Sequence, residues 1–180
     1  MMFYSTKYSS PIGPLQLASD GSHIVGLWME GQKYFGGSVP ENLTAKDDLP
    51  VFTLARQWLD EYFAGNKPAI ARLPLAPAGS SFRKAVWALL CEIPYGETTT
   101  YGQIAKAVAA RTHTSGMSSQ AVGGAVGHNP ISIIIPCHRV VGSDGSLTGY
   151  AGGIGKKVHL LEHEGTDMSV FYVPTKGSAL

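Results

Sequence analysis

The chain opens with short stretches in which apolar and polar positions alternate. Phe3–Tyr8 is rich in aromatic and hydroxyl side chains, Pro11-Ile12-Gly13-Pro14 makes a turn, and Leu15-Gln16-Leu17 alternates, so a strand, a turn and a second strand are expected. Asp20-Gly21 signals a hairpin before the apolar run Ile24-Val25-Gly26-Leu27-Trp28-Met29. Residues 36–49 read as a polar loop. The period then changes to that of a helix: Pro50 suits a first helical position, and Phe52, Ala55, Trp58, Leu59, Tyr62 and Phe63 fall on one face until Gly65-Asn66 ends it.

Pro68, Pro74, Pro77 and Gly79 mark residues 66–80 as a linker. We therefore expect an amino-terminal α/β domain over residues 1–78, a mostly helical domain over 79–168, and a flexible tail over 169–180. In the second domain Ser80 or Ser81 can cap a helix whose buried face is Phe82, Val86, Leu89, Leu90 and Ile93, broken by Pro94-Tyr95-Gly96. Thr100 can cap the next helix, with Ile104, Ala105 and Val108 apolar. A Thr-, Ser- and Gly-rich loop over residues 111–117 leads to a short helix from Ser118 to Gly127. Ile133-Ile134-Ile135 reads as a buried strand or extended run stopped by Pro136, and a last helix starts near Gly153 and runs to Glu164. The pair Thr100–Ala110 and Ser118–Gly127 has the outline of a helix-turn-helix, although paired short helices are ordinarily core.

Composition changes this picture little. No apolar run in the 180 residues approaches the length that spans a bilayer, and the first residues do not form a secretory signal, so a soluble cytoplasmic protein is expected, with no membrane partner. The two cysteines, Cys91 and Cys137, fit reduced thiols; two cannot close a four-thiolate zinc site, and no metal or other cofactor is expected. The net charge of +1 does not advertise a nucleic-acid binder; residues 1–79 hold six basic and seven acidic side chains, residues 80–180 eight and six.

The chemistry concentrates in Pro136-Cys137-His138-Arg139. A lone cysteine after an apolar run is ordinarily a small buried hydrophobe. Here, however, Pro136 ends the run, and neighbouring cations favour the thiolate, the form that attacks carbon. His138 has the alternative of a satisfied core histidine, and Arg139 that of a structural ion pair bridging segments. Cys91 reads as packing only.

Several motifs, in order and at compatible spacing, resemble the DNA alkyltransferase family that repairs O6-alkylguanine. They are Val86-Trp87, Ile93-Pro94-Tyr95-Gly96-Glu97-Thr98, Thr100-Tyr101-Gly102-Gln103-Ile104-Ala105, Ala121-Val122-Gly123-Gly124-Ala125, Asn129-Pro130-Ile131, Ile135-Pro136-Cys137-His138-Arg139-Val140-Val141, the run from Gly145 to Gly153, and Leu160-Leu161-Glu162-His163-Glu164-Gly165. The resemblance implies a ribonuclease-H-like small sheet plus helix, followed by a mostly α domain with a winged-helix-like helix-turn-helix.

The resemblance further implies stoichiometric, irreversible transfer of the alkyl group from O6-alkylguanine, and from O4-alkylthymine, in DNA to Cys137 after base flipping. It gives His138 as base through a water, Glu164 as the group that orients His138, and Tyr101 as proton donor to the leaving guanine. It gives substrate and DNA contacts to Gln120 at the finger position, Ala121, Gly124, the hinge residue Asn129, Val140, Tyr150 and Ala151; Arg139 is grouped with them. The partner implied is double-stranded DNA, entered through the minor groove by a monomer that could bind cooperatively.

Two departures stand out. Gln120 occupies the position where the family usually has arginine, and the loop from Arg111 to Ser119 is longer than usual. Three rival readings are a lesion binder that flags damage without repairing it, a cysteine hydrolase using Cys137 and His138, and a transcription regulator built on the helix-turn-helix. The first would lack Cys137.

Overall fold

In a computed structural model of the chain, residues 1–175 are described. The chain divides into two compact units. The first holds Met1–Gly79 together with Pro130–Ile134, and the second holds Ser80–Asn129 and the chain from Ile135 onward.

Unit 1 is built on a four-stranded sheet of order β3-β2-β1-β4, with β1 Tyr4–Ser10, β2 Gly13–Ser19, β3 Ile24–Met29 and β4 Thr44–Ala45. The first three strands pair antiparallel, and β4 joins β1 in parallel. Gly13, at φ 109, lets the β1–β2 turn close at a backbone angle that side chains rarely adopt. Every residue of β3 is buried, so this strand carries the core. Helix α1, Pro50–Phe63, buries Phe52, Ala55, Trp58, Leu59 and Tyr62 as its periodicity predicts, with Val51 added and Phe63 only half-buried. The proline-rich segment after it is not free chain. The Ile24 N–H donates to Pro74 O (2.8 Å) and the Ala76 N–H to Ile24 O (2.9 Å), which lays Leu75 beside β3 as a bridge partner.

Pro130–Ile134 brings a correction. The isoleucine run is buried, but it is not a strand. The Leu27 N–H donates to Pro130 O (2.9 Å) and the Ser132 N–H to Leu27 O (3.0 Å), after which the chain turns at once. The Ile134 N–H donates back to Ser132 O at 2.8 Å around Ile133, whose φ of 71 is an outlier for a β-branched residue. Strand propensity loses here because local turns satisfy the backbone while the side chains are buried.

Unit 2 contains α2 Ser81–Leu90, the short strand β5 Thr99–Thr100, α3 Tyr101–Thr112, α4 Ser119–Gly127, the short strand β6 Val140–Val141 and α5 Ile154–His163. Capping at Ser80 and Thr100 falls where the sequence puts it, while Ser118, expected as the first residue of its helix, stands just before it as the cap. Ser80 accepts from the Arg83 N–H, Thr100 forms a full capping box with Gln103, and Ser118 accepts from the Ala121 N–H. Helices α2, α3 and α4 pack on one another through Val86, Trp87, Leu90, Ile104, Val108, Val122 and Val126. The Trp87 indole donates to Ala125 O at 2.9 Å, tying α2 to α4. Arg111 and Thr112 complete the last turn of α3, so the connection to α4 begins at His113, which adopts the left-handed region at φ 54.

The expected tail from residue 169 is revised for the described residues 169–175. Met168–Val170 forms a short 3-10 turn, and Tyr172 bridges Ser146. The rest of that expectation, residues 176–180, lies outside the described residues.

Candidate active site

Pro136 has φ −82 and ψ 65, an inverse γ-turn, closed by the Cys137 N–H donating to Ile135 O at 2.8 Å. This turn delivers Cys137 as the first residue of a 3-10 turn, Cys137–Arg139, whose three side chains are all buried. The thiol is 6% exposed. Burial pushes its pKa up; the Asn129 side-chain hydrogen bond, the Lys157 ammonium and the backbone N–H groups of Cys137 and His138 oppose that rise. Asn129 Nδ2 also donates to Ile135 O at 2.8 Å. One amide side chain thus holds both the turn before the cysteine and the sulfur.

Next to it, His138 is fully buried. Its Nε2 lies 2.6 Å from Glu164 Oε2, and its Nδ1 has no hydrogen-bond partner among the described residues. Burial lowers the imidazole pKa against the pull of Glu164, which favours a neutral ring. That ring donates Nε2–H to the carboxylate and leaves Nδ1 with an open lone pair. Burial alone would raise the Glu164 carboxyl; His138 and Arg139 together hold it well below the usual range. Glu164 sits at the carboxyl end of α5, where its Oε1 also accepts from the Gly96 N–H at 3.3 Å.

Arg139 does not face outward. Its Nη1 donates to Ile93 O (2.7 Å), its remaining nitrogens grip Glu164, and its guanidinium lies 5.6 Å from the Tyr95 ring centroid. Grouping it with DNA contacts is therefore corrected: the buried ion pair bridging segments is what forms.

One residue that interacts with Cys137 is not singled out by the sequence. Lys157, on α5, is 0% exposed, and its Nζ donates to Val140 O (2.6 Å) and Thr148 O (2.9 Å). Burial lowers its pKa to about 8, while the Cys137 charge acts to raise it. Its position on a helix with Leu160 and Leu161, spaced to face the core, was the available signal. A lysine there reads as snorkelling to solvent unless two carbonyls are known to meet it. The Thr148 carbonyl accepts a second bond, from the Tyr101 hydroxyl at 3.1 Å, and burial raises the Tyr101 pKa. Tyr101 and Lys157 both interact electrostatically with Cys137.

The remaining candidates fall into two sets. Val140 contributes its carbonyl to Lys157, Tyr150 is buried and Ala151 half-buried. Gln120, Ala121 and Gly124 lie on the exposed side of α4, opposite the buried Val122, Ala125 and Val126. The exposed side is open, since a Cβ added at Gly124 would meet nothing within 4 Å. Among the described residues no group of three His, Cys, Asp or Glu could hold a metal ion, and no helix is long and apolar enough to cross a membrane.

A strand-and-helix unit followed by a helix-turn-helix unit with a buried, hydrogen-bonded cysteine defines a two-unit protein centred on one thiol. The comparisons sharpen it. Residues 3–77 match the ribonuclease-like domain, and residues 81–166 the DNA-binding domain, of 6-O-methylguanine DNA methyltransferase. The methylated-DNA–protein-cysteine methyltransferase of Haemophilus influenzae is 42% identical over 161 residues, covering 89% of this chain and 86% of that protein. The crystal structure of Mycobacterium tuberculosis O6-methylguanine methyltransferase superposes with a TM-score of 0.77 at 42% identity, over 91% of this chain and 93% of that one. That of Mycobacterium tuberculosis OGT in complex with DNA gives 0.76 at 41%, over 93% and 94%. The chain belongs to the methylated-DNA–protein-cysteine methyltransferase family.

Proposed function

We propose that this protein repairs alkylated DNA by moving the alkyl group of O6-alkylguanine, and of O4-alkylthymine, onto Cys137. The observation that carries the proposal is the wiring of that one buried sulfur to Asn129 and Lys157, with the His138–Glu164 pair beside it. The open Nδ1 of His138 suits a water that takes the thiol proton; Glu164 holds the ring, and Arg139 holds Glu164. The thiolate then attacks the alkyl carbon, a carbon–sulfur bond forms, the carbon–oxygen bond to guanine breaks, and Tyr101 protonates the leaving base. The product is a thioether, a poor leaving group, so each molecule acts once.

A base inside a duplex cannot reach a cysteine that is 6% exposed, which supports base flipping. The open side of α4, with Ala121 and Gly124, suits close approach to the minor groove of double-stranded DNA, with Gln120 filling the vacated stack. The protein acts as a monomer, in a cytoplasm that keeps Cys91 and Cys137 reduced.

Incubation with an oligonucleotide carrying O6-methylguanine, followed by intact mass, tests this. One added methyl per protein, lost in Cys137→Ala, is the expected result. Multiple turnover would point to a hydrolase, and binding without a mass change to a lesion sensor; either overturns the proposal.

A further inference from the structure

The carboxy-terminal residues after Thr166 lie beyond the stretch matched to the family's DNA-binding domain, yet they fasten a turn that leads straight into the site. The Tyr172 N–H donates to Gly145 O (3.0 Å), the Leu147 N–H donates to Tyr172 O (2.9 Å), and the Tyr172 hydroxyl donates to Asp144 Oδ2 (2.7 Å). Asp144 Oδ1 in turn accepts from the Ser146 N–H at 3.0 Å. Below these bonds, Met168 and Phe171 pack on Val141, Leu147 and Leu161. The fit at the crossing is close. Gly145 has φ 88, and a Cβ there would stand 2.6 Å from Val170 O. Residue 148 follows immediately, and its carbonyl is the one shared by Lys157 and Tyr101.

We infer that residues 167–173 form a strap that sets the position of the Thr148 carbonyl, and through it the Tyr101 hydroxyl and the Lys157 ammonium, so that Tyr172 is a positioning residue for alkyl transfer. The inference rests on the proposed transfer to Cys137. Among the described residues no hydrogen bond from the Gly142–Leu147 turn crosses to a distant segment other than this strap. Loss of the strap therefore leaves the turn held only by the packing of Leu147 on Val141 and Leu161, and Thr148 with more room to shift. Among the described residues no hydrogen bond joins the strap to α3 or α4, so its loss is expected to leave DNA affinity unchanged. Misplacing a reacting group lowers the chemical step in a way that misplacing a DNA contact does not.

Two variants test this: Tyr172→Phe, which removes only the hydroxyl bond, and Gly145→Ala, which wedges the turn away from Val170. Single-turnover methyl transfer from an O6-methylguanine duplex is measured beside the Kd for the same duplex, using Cys137→Ala versions to keep binding free of reaction. The expected result is a transfer constant lowered about five-fold in Gly145→Ala, and less in Tyr172→Phe, with Kd unchanged. An unchanged transfer constant in both variants, or a parallel loss of affinity and rate, overturns the strap. Failure of the unmodified protein to transfer methyl at all would instead sink the function on which the inference rests.

Discussion

Arg139 holds the Glu164 carboxylate with two nitrogens, Nε to Oε1 at 2.8 Å and Nη2 to Oε2 at 3.1 Å, in a place where the glutamate side chain is 0% exposed. A planar fork fits this carboxylate and an ammonium does not. Arg139→Met strands a buried charge and should cost about 3–5 kcal/mol of stability by urea unfolding. Arg139→Lys should recover only part of that and should still slow transfer, because Glu164 is then free to rotate away from His138. Wild-type stability in Arg139→Met would show that the ion pair does not hold the segments together.

Acid should find the same glutamate. A carboxyl held below its unfolded pKa stabilises the fold above its ordinary titration range, and that contribution is lost as pH falls through the folded value. Since His138 and Arg139 hold Glu164 low, the protein should lose stability steadily below about pH 5. Glu164→Gln should be less stable at neutral pH and show a flatter dependence below that point, measured as denaturation midpoints across a pH series.

Lys157 carries charge beside Cys137, the proposed nucleophile. Replacing it with methionine removes a cation that favours the Cys137 thiolate, so the pH profile of methyl transfer should move to higher pH. The stability slope has the same sign as that of Glu164, because folding lowers both pKa values, but it falls in the alkaline range. The folded pKa of Lys157, about 8, lies below that of an exposed lysine. Folding therefore disfavours its proton, and the contribution of this group to stability rises as pH climbs from about 8 towards the ordinary lysine range. An unmoved profile in Lys157→Met would detach this ammonium from the chemistry.

Gln120 lies at the exposed start of α4. An arginine there would bring charge and reach to the space left by a flipped base. Gln120→Arg should tighten binding to an O6-methylguanine duplex and speed transfer, with the gain shrinking at high salt. Equal rates at every salt concentration would remove position 120 from the base-extruding role.

His113 ends α3 in the left-handed region, at φ 54, without the freedom of glycine. His113→Gly should stabilise the protein by about 1 kcal/mol, read as a shift in the unfolding midpoint. A loss of stability would mean that the histidine side chain contributes more than its backbone angle costs.

Much of this fold was legible because its elements obey local rules. The buried faces of α1 and α3 follow helical spacing, and the caps at Ser80 and Thr100 follow from hydroxyls placed before apolar periodicity. The isoleucine run was misread because its residue types favour a strand, while Pro130–Ile134 meets Leu27 only through tertiary pairing and then turns at Ile133. The cysteine, histidine and glutamate could be marked through motif resemblance, although Cys137 and Glu164 are distant in sequence. Lys157 could not be marked in this way. Its meaning depends on two backbone carbonyls, Val140 and Thr148, whose approach no local pattern encodes.

The allotment of Pro130–Ile134 to the first unit bears on how the chain can be cut. A fragment begun at Ser80 keeps every residue from the nucleophile to its supporting glutamate, and on paper it is a complete catalytic half. It also keeps Ile131, Ile133 and Ile134, each buried in the whole protein, while Leu27, whose backbone pairs with Pro130 and Ser132, is gone. Such a fragment would present a bare aliphatic loop immediately before its reactive cysteine, and clumping should overtake it before any DNA does.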